Sequence, residues 1–250
     1  MSNRNNILIT GASSGLGMEM ARQFAAGGRN LALCARRSER LEELKAELEG
    51  RHAGVTVSIR TLDVNDHDAV FEVFRAFDAE LGGLDRVIVN AGMGKGQPIG
   101  TGYFWANKQT AETNFIAALA QCEAALELFR ERNAGHLVMI SSMSAMRGMP
   151  RNLTTYAATK AGVAALAEGM RADLMKTPIR VSTIYPGYIR SEINEKVKNT
   201  PFMVDTETGV RSMVAAIDKE VDEACCPAWP WTAMGLLMRN LPLKTVAKMG

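Results

Sequence analysis

Tyr156 and Lys160 stand four residues apart, a spacing that puts both side chains on one face of a helix. A phenol with a pKa of about 10 is a poor acid or base near neutrality, and an ammonium beside it stabilises the phenolate and lowers that value. Tyr156 then becomes a usable proton donor. A Y-x-x-x-K pair alone is common, so its weight comes from its company. Ser141-Ser142 ends an apolar run, with Ser142 fourteen residues before Tyr156. Asn114 lies inside a long helical pattern, where Asn is a poor interior residue. It could bond a carbonyl at a bend, hold a water, or simply be exposed.

A second constellation serves an anion. Thr10-Gly11-Ala12-Ser13-Ser14-Gly15-Leu16-Gly17 follows the apolar run Ile7-Leu8-Ile9 and opens a periodic segment to Phe24. That reads as strand, glycine turn and helix N-terminus. Gly11 permits the tight turn, Gly15 lets backbone approach a phosphate, and Gly17 lets the helix pack closely. Unpaired N–H groups and the helix dipole face the anion, so a pyrophosphate belongs there. The spacing is G-x-x-x-G-x-G, meeting the dinucleotide fingerprint in mechanism and not to the letter. Gly11-x-Ser13-x-Gly15 also spells the nucleophile elbow of α/β-hydrolases. In that fold, however, the elbow comes after several strands, with Asp and then His downstream. Here it follows the first strand, and the last histidine is His136.

The elements that must position these residues alternate between strand and helix patterns, as one α/β domain over residues 1–250 would require. Strands are predicted at residues 30–35, 55–62, 86–89, 136–140 and 179–185, and helices at 39–50, 69–81, 105–132 and from 162 onward. In a doubly wound fold the end of the second strand meets the adenosine ribose, where an acid selects NAD and an arginine accommodates the 2′-phosphate of NADP. This chain has Ala35-Arg36-Arg37 there, which predicts NADP(H) over NAD(H). Asp63 and Asn90-Ala91-Gly92 fall at strand ends on the same crevice. Asp63 could accept from an adenine amino group and Asn90 could tie strand ends together, and either also reads as an ordinary cap. Pro186-Gly187 breaks the sixth strand at that edge.

Composition narrows the classes. The 250 residues are 47% hydrophobic and carry a net charge of +2, too little to suggest a nucleic-acid partner. Four cysteines, one pair adjacent, suggest buried thiols in a reducing compartment. His52, His67 and His136 are scattered, so no metal site is expected. No signal-peptide core and no run of roughly 18 apolar residues is present, and the expected location is cytoplasmic.

Taken in order, Thr10-Gly-x-x-x-Gly-x-Gly17, Asp63, Asn90-Ala-Gly92, Asn114, Ser142, Tyr156-x-x-x-Lys160 and Pro186-Gly187 resemble the short-chain dehydrogenase/reductase family in its single-domain form. The resemblance spans about residues 5–191. It implies a seven-stranded, doubly wound Rossmann-type parallel sheet with helices on both faces. It also implies that Tyr156 exchanges a proton with the substrate oxygen while hydride moves to or from a nicotinamide. Ser142 would polarise the carbonyl and is preferred over Ser141 and Ser144, although the family usually places its serine one residue closer to the tyrosine. Lys160 would bind the nicotinamide ribose and depress the Tyr156 pKa, and Asn114 would hold a water in a proton relay. Cofactor contacts would come from Gly11, Ser13, Ser14, Gly15, Leu16 and Gly17 in the turn, and from Arg36 and Arg37 at the ribose. Asp63 and Val64, then Asn90, Ala91 and Gly92, would add to them. Pro186, Gly187, Ile189 and Ser191 would grip the carboxamide, with Ser191 where the family has threonine. A non-catalytic NADP-binding regulator on the same fold is the alternative.

Met143, Met146 and Met149 precede Tyr156, Met93 follows the fourth strand, and Tyr188, Phe202 and Met203 lie beyond Pro186. Methionines line adaptable apolar surfaces, which suggests a bulky apolar carbonyl or alcohol substrate under a lid at about 192–204. A helix is expected at about 205–223. The apolar tail after it, residues 227–250, is read as pocket closure or subunit contact and not as a membrane anchor, because Pro242 interrupts it. The small residues Ala161, Ala164, Ala165 and Ala167 suit a helix-mediated homodimer or homotetramer.

Overall fold

A computed structural model describes residues 4–94, 96–192 and 200–248. The apolar runs become one sheet, built from β1 (Asn6–Thr10), β2 (Asn30–Ala35), β3 (Val57–Thr61), β4 (Arg86–Val89), β5 (His136–Ile140), β6 (Arg180–Pro186) and β7 (Glu223–Cys226). Its order is β3-β2-β1-β4-β5-β6-β7, and each adjacent pair is parallel. Helices α1 (Gly15–Ala26), α2 (Ser38–Arg51) and α7 (Thr206–Asp218) cover one face, while α3 (His67–Leu81), α5 (Ala117–Arg132) and α6 (Thr154–Leu174) cover the other. Strands covered on both sides need apolar side chains at nearly every position. Along β1, Ile7 and Ile9 enter the core with Met20, Phe24 and Met213, and Leu8 enters the opposite core with Phe74, Phe129 and Val163. A buried Leu or Ile contributes about 1.5–3 kcal/mol relative to exposure, and a one-residue slip would send each to the wrong face.

The strand order reverses between β1 and β4, which opens a crevice at their carboxyl ends. The amino ends of β4, β5 and β6 carry a buried polar network instead. Arg86, 1% exposed, donates from Nε to His136 Nδ1 at 2.9 Å and pairs with Asp218 at 2.7 Å. His136 Nε2 lies 2.8 Å from Ser182 Oγ, which donates to the Val221 carbonyl.

Three sequence expectations are corrected. The helix expected at 205–223 ends at Asp218, and the seventh strand follows it. That strand, Glu-Ala-Cys-Cys, is four residues long and contains no β-branched residue, so it left no pattern. The helix expected at 105–132 is α4 (Phe104–Ala111) joined to α5 through a π-helical turn at Glu112–Ile116, which contains Asn114. The tail is ordered as α8 (Ala228–Asn240) and α9 (Leu243–Val246), with Pro242 between them. Among the described residues no helix is long and apolar enough to cross a membrane.

Candidate active site

The glycine turn is shaped by close approaches. Gly11 and Gly15 have φ of +66° and +54°, a region that favours glycine. A Cβ at Gly11 would lie 2.9 Å from Ala91 Cα, and one at Gly17 would lie 2.4 Å from the Gly11 carbonyl oxygen. Asn90 staples β4 to β1: its Nδ2 donates to the Thr10 carbonyl at 2.9 Å, and Thr10 Oγ1 accepts from the backbone of Asn90 and Ala91. Thr10, named in the motif but given no role there, is therefore the receiving half of that staple. No side chain caps α1 at Ser14, so its first N–H groups remain directed at the crevice. Leu16 and Val64 are held by core packing on either side of the sheet. Asp63 forms a local Asx turn, accepting from the Asn65 backbone at 3.0 Å.

Ala91 and Gly92 connect this turn to Asn114 and Lys160. A Cβ at Gly92 would lie 3.2 Å from Asn114 Oδ1 and 3.5 Å from Lys160 Nζ. Asn114 is 1% exposed. Its Oδ1 accepts from Met93 N at 2.8 Å, and its Nδ2 donates to Met93 O at 2.9 Å and to Thr159 Oγ1 at 3.4 Å. The π-helical turn aims this amide at the loop after β4. Lys160 is buried, donates to the Ile140 carbonyl at 2.8 Å, and has its pKa pushed down to about 8 by burial. Its ammonium sits 6.0 Å from the centre of the Tyr156 ring. Burial raises the Tyr156 pKa, and hydrogen bonding from Ser142 lowers it in part. The Tyr156 phenol thus takes its lowering from Ser142, while Lys160 is turned to the end of β5. Ser141 Oγ is used by the Lys160 carbonyl at 2.8 Å, which leaves Ser142 as the strand-end serine beside the phenol.

At the end of β2 Arg36 is exposed, and Arg37 is half-buried against the glycine turn. Arg37 donates to Ser13 Oγ at 3.2 Å and Ser14 Oγ at 2.6 Å, and pairs with Glu192 at 3.2 Å. Arg40 pairs with the same carboxylate at 2.6 Å. The sequence analysis did not single out Arg40; its position three residues after Arg37, on the first turn of α2, was the available signal. Ser13, held by Arg37 after the first strand, has none of the surroundings of a nucleophile elbow.

Beyond β6, Gly187 N donates to Cys226 O at 2.9 Å. Ile189 is buried against Gly209 of α7, and Ser191 Cβ is 3.4 Å from a Cβ built at Gly15. Residues 193–199 of the expected lid lie outside the described residues. At its base Val204 N donates to Tyr188 O and Arg190 N to Val204 O. Trp231 of α8 lies flat on Gly187, with Tyr188 and Phe202 meeting its ring edge-on at 5.5 and 6.3 Å. Met143 and Met146 pack beneath Trp231 and Gly235, and Met149 packs against Met238 and Val246. These methionines seat the tail.

The family pattern described as short chain dehydrogenase matches residues 5–201. An uncharacterized oxidoreductase of Mycobacterium tuberculosis is 54% identical over 239 residues, covering 96% of this chain and 94% of its own. An uncharacterized oxidoreductase of Myxococcus xanthus is 38% identical, covering 90% and 87%. Among solved structures, a short-chain dehydrogenase from Sphingobium yanoikuyae in complex with NADPH superposes with a TM-score of 0.81 at 27% identity, covering 95% of this chain and 96% of that one. The matched span runs from β1 past Gly187 and takes in the turn, the staple and the Tyr156–Lys160 pair. This protein therefore belongs to the short-chain dehydrogenase/reductase family of oxidoreductases.

Proposed function

We propose that the protein is an NADP(H)-dependent oxidoreductase that interconverts a carbonyl and an alcohol on an apolar substrate of lipid, steroid or aromatic type. The observation carrying this reading is the meeting of Ser142, Tyr156, Lys160 and Asn114 at the strand ends, joined to the glycine turn through Ala91 and Gly92. The residues present fit a nicotinamide dinucleotide: Gly11, Gly15 and the open end of α1 for the pyrophosphate, and Arg37 with Ser14 for a phosphate on the adenosine ribose. Lys160 and the backbone around Gly187 would hold the nicotinamide end. When bound, the nicotinamide supplies or accepts hydride.

Burial keeps the Tyr156 phenol protonated at neutral pH, which suits proton donation to a carbonyl oxygen during reduction. Ser142 hydrogen-bonds the same oxygen and orients it. The Lys160 ammonium balances the phenolate left behind. That charge is present below pH about 8 and is lost above it, so reduction slows as pH rises through that value. Asn114 fixes Met93 and keeps an oxygen lone pair free to hold a water. Tyr188, Phe202, Met203 and Trp231 favour an apolar substrate.

A panel of long-chain, steroid and aromatic aldehydes and ketones, followed by NADPH absorbance, tests this reading. Tyr156→Phe should lose about 10²–10⁴-fold in turnover while NADPH affinity holds. Turnover that survives the substitution refutes the assigned role. Activity confined to small sugars or hydroxy acids refutes the substrate class. Wild-type protein that binds NADPH yet oxidises none across the panel is a non-catalytic binder.

A further inference from the structure

The ribose end of the crevice already holds an anion, and the chain itself supplies it. Glu192 follows β6, yet its carboxylate reaches back to the end of β2 and bridges Arg40 at 2.6 Å and Arg37 at 3.2 Å. Arg37 is aimed there by Ser13 and Ser14. The two arginines hold the Glu192 carboxyl below its usual range, Arg40 most strongly, with a smaller lowering from Ser14. Two guanidiniums and a hydroxyl converging on one carboxylate form a seat for any compact oxyanion.

We propose that Glu192 and Arg40 set the choice between the two nicotinamide dinucleotides. A 2′-phosphate takes the Glu192 place on Arg37 and Arg40, whereas a dinucleotide with a free 2′-hydroxyl leaves Glu192 there to neutralise both arginines and accept from the ribose. This inference rests on the NADP(H) reading above and adds a selector to it. Charge decides the competition. A phosphate monoester carries about −1.5 to −2 near neutrality and offers three acceptor oxygens, against a single charge and two oxygens on the carboxylate. The two anions also repel one another, so the phosphate does not share the seat. An acidic residue that favours NAD ordinarily comes from the end of β2 itself. Here Ala35 and Arg36 hold that position, and the acid arrives from 155 residues away. The three side chains are 42–50% exposed, so each ion pair is weak, and breaking both weakens NADPH binding by about three- to tenfold.

Dissociation constants for NADPH and NADH, read by nicotinamide fluorescence without turnover, test the proposal. Glu192→Gln should tighten NADPH about three- to tenfold while NADH weakens or holds. Arg40→Ala should weaken NADPH about tenfold and leave NADH nearly unchanged. Both sites are at the surface, and thermal melting confirms that the variants fold. If the NADPH-to-NADH ratio stays within about twofold of wild type in either variant, the proposal is overturned and dinucleotide binding stands. If wild-type protein binds neither nucleotide, the proposed function falls and the selector falls with it.

Discussion

Adding one methyl group at Gly187 tests how the tail shapes the site. An ideal Cβ there would lie 2.2 Å from Cε2 and Nε1 of Trp231 and 2.5 Å from Cδ2. Carbon atoms settle at about 3.5–4.0 Å, so the ring would have to retreat by about 1.3 Å. It has nowhere to go, because Trp231 is 4% exposed and packs with Met143 and Tyr185. Gly187 has no left-handed φ, so backbone strain adds nothing and the whole cost of Gly187→Ala is overpacking, about 1–3 kcal/mol. At about 2–4 °C per kcal/mol for a chain of this size, the melting temperature should fall by about 6 °C. Trp231→Ala alone should cost about 3–5 kcal/mol by leaving a cavity. In that background Gly187→Ala should be nearly neutral, giving a coupling of about 1–3 kcal/mol in a double-mutant cycle followed by urea denaturation. If Gly187→Ala costs the same with and without the indole, the contact does not govern this position and the reasoning fails.

Two further outcomes follow from buried polar groups. His136 is held neutral by burial and by the Arg86 guanidinium, so its native pKa lies well below the unfolded value of about 6.5. The unfolded state then binds the extra proton first, and this site weakens the fold as pH falls below about 6.5, by about 1.4 kcal/mol per pH unit. NMR of the His136 ring should find it uncharged at pH 5, and a ring that titrates between pH 6 and 7 would contradict the network. Asn114→Ala strips both hydrogen bonds from the Met93 backbone and should cost about 2 kcal/mol in denaturant unfolding, with a drop in turnover as the loop beside Lys160 shifts. A loss confined to turnover, with stability intact, would point to a water-holding role alone.

Much of this architecture could be read from the chain because local signals and tertiary demands agree. Ile7-Leu8-Ile9 followed by Gly11 can form little other than a buried strand entering a tight turn, and Tyr156 and Lys160 are one helical turn apart wherever that helix packs. Asn114 was visible as a misfit, and the misfit was informative, although a π-helical turn leaves no periodicity of its own to detect. Strand β7 escaped because four residues of Glu, Ala and Cys pair with β6 through backbone alone. Arg40 and Glu192 escaped for a different reason: their meeting depends on the segment after β6 crossing the carboxyl ends of β5, β4 and β1 to reach the end of β2, which only the assembled sheet supplies. The tail reads from the sequence as pocket closure or subunit contact, and only the assembled structure shows Trp231 packed on Gly187.

The indole that lies on Gly187 sits at position 231, whereas the match to the family pattern ends at residue 201. The tail is thus a separate length of chain fastened to the matched one at several points, through Trp231 on Gly187 and through Met143, Met146 and Met149 packed against α8 and α9. The end of β6 is therefore shaped from two sides, by the strand that carries it and by a segment that lies outside the matched span.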